Sequence, residues 1–450
     1  MTTDLEQPPA TRTWIERVLS PVAEVHRDEV TSALLMTLVM FMILAAYYLL
    51  KTAREVFILS EGGAEVKSYS SAGQALLLLV LVPLYSSFAS RVKRVQLVQW
   101  VTVFFASHLL LFLFALGAGV KIGIIYFLWV GIFNLMVIAQ FWAFANDLYT
   151  QEQGKRLFPL IGVGSSLGAW VGSIQAGTVM ERFGPTRLLI AASVILTGCA
   201  ALVTIIDRVS ARPMAAAKAE PPKKDEPLAG PNGFTLLFRD RYLLLIAALV
   251  LVLNVVNTSG EYLFGRYVVE TAKATYGAGP ESEVARQQFI GATYSRFFST
   301  VNLVGFLLQM FAVSRIFKFL GVGRALFIHP IAALTGYIYM LGSPSLGAMN
   351  VFKVVDNSLD YSLGNTTKQA LWLPTSREAK YKAKQAVDSF VVRAGDVLQA
   401  AVVYTGELLA FTVPMFAGVN IVLSCIWLVV AAALGRSLKK KAEQAGTTEL

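Results

Sequence analysis

VTSALLMTLVMFMILAAYYLLKTAREVFIL, residues 30–59, carries charge only at Lys51, Arg54 and Glu55 before Gly62 and Gly63 stop it. At 1.5 Å per residue a helix of this length reaches about 45 Å, beyond the ~30 Å of a hydrocarbon core. Such a helix must tilt in a bilayer or protrude from it. Comparable apolar runs recur from Leu76 to Tyr85, Leu243 to Leu253 and Ile421 to Leu434. The whole 450-residue chain is 55% hydrophobic and 15% charged, where a soluble chain carries about 25% charge. The excess apolar residue has to sit in lipid.

Twelve spans are predicted, near residues 30–51, 70–90, 98–118, 123–147, 157–180, 187–206, 242–264, 289–314, 322–342, 346–370, 385–409 and 411–434. The expected fold class is an all-α membrane protein of two six-helix bundles, 30–206 and 242–434. A cytoplasmic segment, 1–29, precedes them, a cytoplasmic linker, 207–241, joins them, and a cytoplasmic tail, 435–450, follows. The linker is rich in Ala, Pro, Lys and Glu and cannot bury a core, so its length alone should matter. In the leader, Trp14, Val18, Val22 and Val25 recur at helical spacing, as in a short helix lying on the membrane surface. With acidic residues from Asp4 to Glu29 and no early apolar core, the leader reads as neither transit nor signal peptide.

Lys and Arg gather in the even-numbered connections, at 91–94, 155–156, 315–324 and 377–384, in the linker and in the tail from Arg436 to Lys441. The connections near Ser343–Gly347 and Gly406–Val413 have none. Both termini are therefore expected in the cytoplasm and Ser343–Gly347 outside. The same asymmetry explains a net charge of +10 through topology and anionic lipid, without nucleic-acid binding. The second and eighth spans end alike, FASRVKR (88–94) and AVSRIFK (312–318), as expected of the parallel repeats of major-facilitator transporters.

Cys199 and Cys425 are far apart and apolar in context, and His26, His108 and His329 are dispersed. No metal ligand set, cofactor site or nucleophile constellation is readable, so an enzyme is not expected. The informative residues are charges inside spans, which cost about 2.5–3.5 kcal/mol to insert and usually face a cavity or a partner. Tyr47, Lys51 and Arg54 form one stripe on the first span. Asn254, Asn257 and Glu261 share a face of the seventh. On the tenth, Lys353, Asp356 and Asp360 share a face, with Lys368 about 80° further round. Arg393 and Asp396 can pair on the eleventh, and Gly162, Gly164, Gly168 and Gly172 in the fifth suit close helix packing.

Several stretches resemble the ATP/ADP translocase family of intracellular bacteria and plastids, related to the major facilitators. They are LLK at 49–51, FWAFAN at 141–146 with KRLFPLIGVG at 155–164, Glu261, and YSLGNTTKQALWLP at 361–374 with KYKAKQAVD at 380–388. The resemblance implies that Lys51, Glu261 and Lys368 match three of the family's four charged transport residues. At the place of the fourth, a glutamate, the sequence reads LWVGIFNLM, with Asn134 its nearest polar residue. GNTTKQ at 364–369 also departs from the family's Asp-Pro and Glu around the lysine.

The expected function is secondary transport by alternating access, exchanging ATP/ADP-like nucleotides or a related phosphorylated anion. Proton- or ion-coupled movement of another solute is the alternative. The expected substrate-binding residues are Lys51, Arg54, Tyr47, Glu261, Lys368, Asn134, Asp360 and Arg393, with Lys51, Glu261 and Lys368 lining one cavity. Lysine supplies a compact charge to phosphate, and Tyr47, Trp142 or Phe144 could stack on a base. The expected partners are the bilayer and an anionic solute, with no nucleic acid. The expected setting is a monomer in a bacterial inner membrane.

Overall fold

The computed structural model describes residues 29–89, 94–214, 232–342 and 345–444, together with 23, 25 and 26. Most of the predicted surface helix, residues 215–231 of the linker, and Ser343 lie outside the described residues. Within them the chain is helical throughout, with no strand. Val30–Ala89 is helix save for Gly63, whose φ of 76° is left-handed and whose ψ is −174°, so the run is two helices, α1 (30–62) and α2 (64–89). The break falls where two glycines predicted a stop, because glycine enters that region without steric cost. The predicted connection 52–69 is itself helical. Its polar residues mark the edge of the apolar run and not the end of the helix.

Then come α3 (Arg94–Gly117), α4 (Gly123–Leu148), α5 (Gln151–Phe183) and α6 (Pro185–Met214). After the linker follow α7 (Gly233–Arg239), α8 (Arg241–Tyr276), α9 (Glu283–Leu307), α10 (Val313–Ala325) and α11 (Ile328–Met340). The chain ends with α12 (Leu346–Leu359), α13 (Asn365–Ala370), α14 (Lys384–Ala386), α15 (Val392–Leu408) and α16 (Val413–Gln444). Single π turns at Leu308–Ala312, Asp360–Gly364, Ala379–Ala383 and Val387–Val391 interrupt the C-terminal helices, a distortion often found at functional sites. Several helices outrun their predicted spans, α8 to Tyr276 for example, since polar turns extend beyond the hydrocarbon core.

Among the described residues, eight helical stretches are long and apolar enough to cross a bilayer, and their outer faces fit lipid. Leu76, Val80 and Leu84 stand exposed at four-residue spacing on α2, and Trp100, Val103, Phe104 and Leu111 stand exposed along one face of α3. Such stripes would be aggregation surfaces in water. Inside, α1 is the axle of the N-terminal half. Its start is fixed by Glu29, whose carboxylate accepts from Arg156 (2.8 and 3.0 Å) and Gln153 (2.9 Å) of α5. At its other end Glu61 accepts from the backbone N–H of Ile122 (3.2 Å) and Gly123 (2.7 Å), satisfying orphan donors at the head of α4.

Of the four α5 glycines expected to pack closely, Gly164, Gly168 and Gly172 lie against α1, whereas Gly162 faces open space. A Cβ at Gly164 would meet the Thr37 carbonyl oxygen at 2.6 Å, and one at Gly172 the Ala45 Cα at 2.6 Å, while one at Gly168 would enter the Phe41 backbone. Gly168→Val is therefore expected to destabilise the protein by about 1–3 kcal/mol or more, since backbone cannot move aside like a side chain. A lowered midpoint of thermal unfolding in detergent is the check, and an unchanged midpoint would mean that α1 and α5 can part cheaply.

The two halves of the chain meet through α1, α2 and α5 on one side and α8, α9 and α15 on the other. Ser295 Oγ of α9 donates to the Ser173 carbonyl of α5 at 2.6 Å, and Asn302 Nδ2 to the Ala169 carbonyl at 3.3 Å. The Tyr48 hydroxyl of α1 donates to Asn302 Oδ1 at 2.8 Å, and Gln399 Nε2 of α15 to Ser68 Oγ of α2 at 3.3 Å.

Candidate functional site

A polar cavity of about 220 Å³ lies between the halves. From the N-terminal half α1 contributes Lys51 and Arg54, and α2 contributes Lys67, Ser71 and Gln74. From the C-terminal half come Asn257 and Glu261 of α8, Asn357 of α12, Tyr361 of the following π turn, and Gln399. Each is a polar group on a helix that is otherwise apolar, and helix periodicity turns it from lipid toward the space between the halves.

The charges form a connected series. Glu55, fully buried, takes Arg54 on one oxygen and Lys67 on the other, the latter at 2.7 Å. Lys67 also lies 3.7 Å from Glu261 across the interface. Glu261 accepts from Asn357 Nδ2 at 2.8 Å and stands 3.8 Å from Lys353. Lys353, also fully buried, donates to Asp356 Oδ2 at 2.7 Å and to Asn257 Oδ1 at 3.0 Å, while His329 Nε2 meets Asp356 Oδ1 at 3.0 Å. Lys51 stands apart. It has no ion-pair partner among the described residues, and its ammonium sits 4.2 Å from the centre of the Phe298 ring and 5.2 Å from that of Tyr48. Four cations, Lys51, Arg54, Lys67 and Lys353, thus face three carboxylates, Glu55, Glu261 and Asp356. With His329 counted neutral, one positive charge is left uncompensated, and it resides on Lys51.

Of the expected site residues, Lys51, Arg54 and Glu261 line this cavity. Tyr47 packs beside it, with its ring against Tyr48 and Phe133 and 5.9 Å from the Lys51 ammonium. Lys368 does not line it. It pairs with Asp360 at 3.2 Å and borders a separate crevice with His329 and Trp427. The expectation of one cavity shared by Lys51, Glu261 and Lys368 therefore holds for the first two alone. Arg393 pairs with Asp396 at 3.2 Å, as its spacing suggested, and lines a different groove, of about 420 Å³, between α2, α4 and the start of α15. Asn134 is half-buried on α4 and borders neither space. Trp142 and Phe144 are packing residues, Trp142 against Phe141 and Phe158 and Phe144 buried in the core.

Lys67 and Asn357 were not among the expected residues. Lys67 fell in what read as a connection, yet Lys67, Ser71 and Gln74 follow one another at i, i+4 and i+7, a polar stripe legible once 64–89 is taken as helix.

A family model described as TLC ATP/ADP transporter matches residues 11–117 and 122–438. ADP,ATP carrier protein 1 of Chlamydia pneumoniae is 21% identical over 345 residues, covering 67% of this chain and 64% of that protein. The plastidic ATP/ADP-transporter of Solanum tuberosum is 26% identical over 346 residues, covering 67% of this chain and 51% of that one. ADP,ATP carrier protein 4 of Rickettsia conorii is 21% identical over 463 residues, covering 85% and 86%. The chain thus spans less than two thirds of the length of the first of these relatives. Among solved structures, the nucleoside transporter NupG superposes with a TM-score of 0.61 at 12% identity, covering 91% of this chain and 99% of NupG. A POT family transporter in complex with 5-aminolevulinic acid superposes with a TM-score of 0.63 at 14% identity, covering 90% and 96%. At such identities the likeness shows the fold alone, and that fold is the major-facilitator one.

Proposed function

Because the chain belongs to the TLC ATP/ADP transporter family, we propose that it is a multi-pass secondary transporter that exchanges nucleotides, or a closely related phosphorylated anion, by alternating access. The observation that carries this reading is the uncompensated charge of Lys51 in a polar cavity between the two halves. A low-dielectric site with one surplus cation favours an anion, and lysine binds phosphate as a compact charge that can also release it. Arg54 and Lys67 lie on the same wall to take further anionic oxygens, and Asn257, Asn357 and Gln399 offer amides to a ribose or base.

In this reading the described helices make twelve spans, α1 and α2 supplying two from one long run, with the π-interrupted C-terminal helices too polar to register as single apolar stretches. Both termini lie in the cytoplasm, and the protein is a monomer of the bacterial inner membrane.

Purified protein in liposomes, offered labelled ATP, ADP, other nucleotides and simple phosphate esters, is expected to take up at least one of them faster when the same solute is inside. Uptake of none of these anions under any loading would refute the reading. A second reading, proton-coupled movement of another solute, is favoured by the buried cluster of Lys353, Asp356 and His329, in which His329 Nδ1 has no hydrogen-bond partner. Uptake driven by a pH gradient without internal solute would select it.

A further inference from the structure

Lys67, in the first turn of α2, is buried, and its side chain forms part of the cavity wall. It is drawn by two carboxylates, Glu55 of its own half at 2.7 Å and Glu261 of the other at 3.7 Å, and it stands 5.2 Å from the centre of the Tyr294 ring of α9. At 2.7 Å the Glu55 carboxylate takes one of the three donors of the ammonium, while Glu261 at 3.7 Å is beyond hydrogen-bond reach, so the remaining donors have no close acceptor among the described residues. A buried cation with free donors on the wall of an anion cavity is poised for a ligand. Its longer contact is also an ionic contact between the halves.

We propose that Lys67 is both a binding residue for the anionic group of the substrate and the bridge that holds the halves together while the cavity is empty. The inference rests on the alternating-access reading above. A phosphate or carboxylate oxygen entering the cavity takes the free donors of Lys67, and the pull on Glu261, already the weaker of the two at 3.7 Å, yields first. The bound anion releases the bridge and the empty carrier keeps it, which makes transport an exchange instead of a net flux. An anion that cannot reach Lys67 would bind without releasing the halves.

Spin labels at Phe183→Cys on α5 and Val284→Cys at the head of α9, both exposed, report the separation of the halves once Cys199 and Cys425 are replaced. Without substrate, Lys67→Gln is expected to add a longer-distance population that the parent and Lys67→Arg lack. In liposomes preloaded with labelled ATP, Lys67→Gln should raise efflux into ATP-free buffer about tenfold and raise the half-saturating ATP concentration for exchange by a similar factor. Parent-like distances and parent-like coupling in Lys67→Gln would overturn the proposal. If the parent carries no ATP, the nucleotide reading fails while the distance measurement still decides the bridge. Should Lys67→Gln not fold, Glu261→Gln severs the same bridge from the other side, and an unchanged distance there counts against the proposal equally.

Discussion

Lys51→Gln is expected to lower exchange by about 10- to 100-fold, the loss of a charged hydrogen bond of about 1.5–3 kcal/mol, while folded yield and thermal midpoint stay near those of the parent. The two outcomes separate because Lys51 has no carboxylate to orphan among the described residues. What the variant loses in the folded state is a cation over Phe298, worth about 0.5–2 kcal/mol, and what it regains is the desolvation cost of a part-buried charge. Paired measurements of liposome exchange and thermal unfolding on the same preparation check this. Strong destabilisation with exchange intact would make Lys51 a structural residue.

Lys353→Met should behave in the opposite way. Lys353 is fully buried and is the common counter-ion of Asp356, at 2.7 Å, and Glu261, at 3.8 Å. Removing it leaves two carboxylates facing each other's field without the cation between them, a loss of the order of 3–5 kcal/mol. A marked fall in the thermal midpoint or failure to accumulate folded protein is expected, and a variant as stable as the parent would show that the cluster is solvated or protonated instead of ion-paired. Lys51 and Lys353 are both intramembrane lysines, and their neighbours decide which of them serves binding and which serves folding.

That distinction was not legible in the sequence, although much else was. A thirty-residue apolar run, glycines at the α1 break and glycines at four-residue spacing each have one economical structural solution, and the helices adopt it. Lys51, Arg54 and Glu261 stood out because a charge in an apolar run has few places to go. Lys67 did not, because polar neighbours at Glu61, Glu65 and Ser68 hid a helix inside an apparent connection. Lys368 was misplaced for a geometric reason. Eight residues of α-helix carry it about 80° past Asp360, but the π turn at Asp360–Gly364 advances fewer degrees per residue and brings the two back to a 3.2 Å pair. Periodicity arguments assume one pitch, and a single wide turn defeats them for every residue downstream.

The glycine contact between α1 and α5 has a mechanical consequence. Where Gly164, Gly168 and Gly172 meet Thr37, Phe41 and Ala45, backbone lies on backbone with no compliant side chains to absorb a shift. A pull on α1 at Lys51 therefore reaches α5 undamped, and α5 carries Ser173 at the seam with α9. The pair acts as a stiff lever with its load at the cavity and its output at the seam, so small residues there, chemically silent and remote from any substrate, should set how fast the carrier turns over.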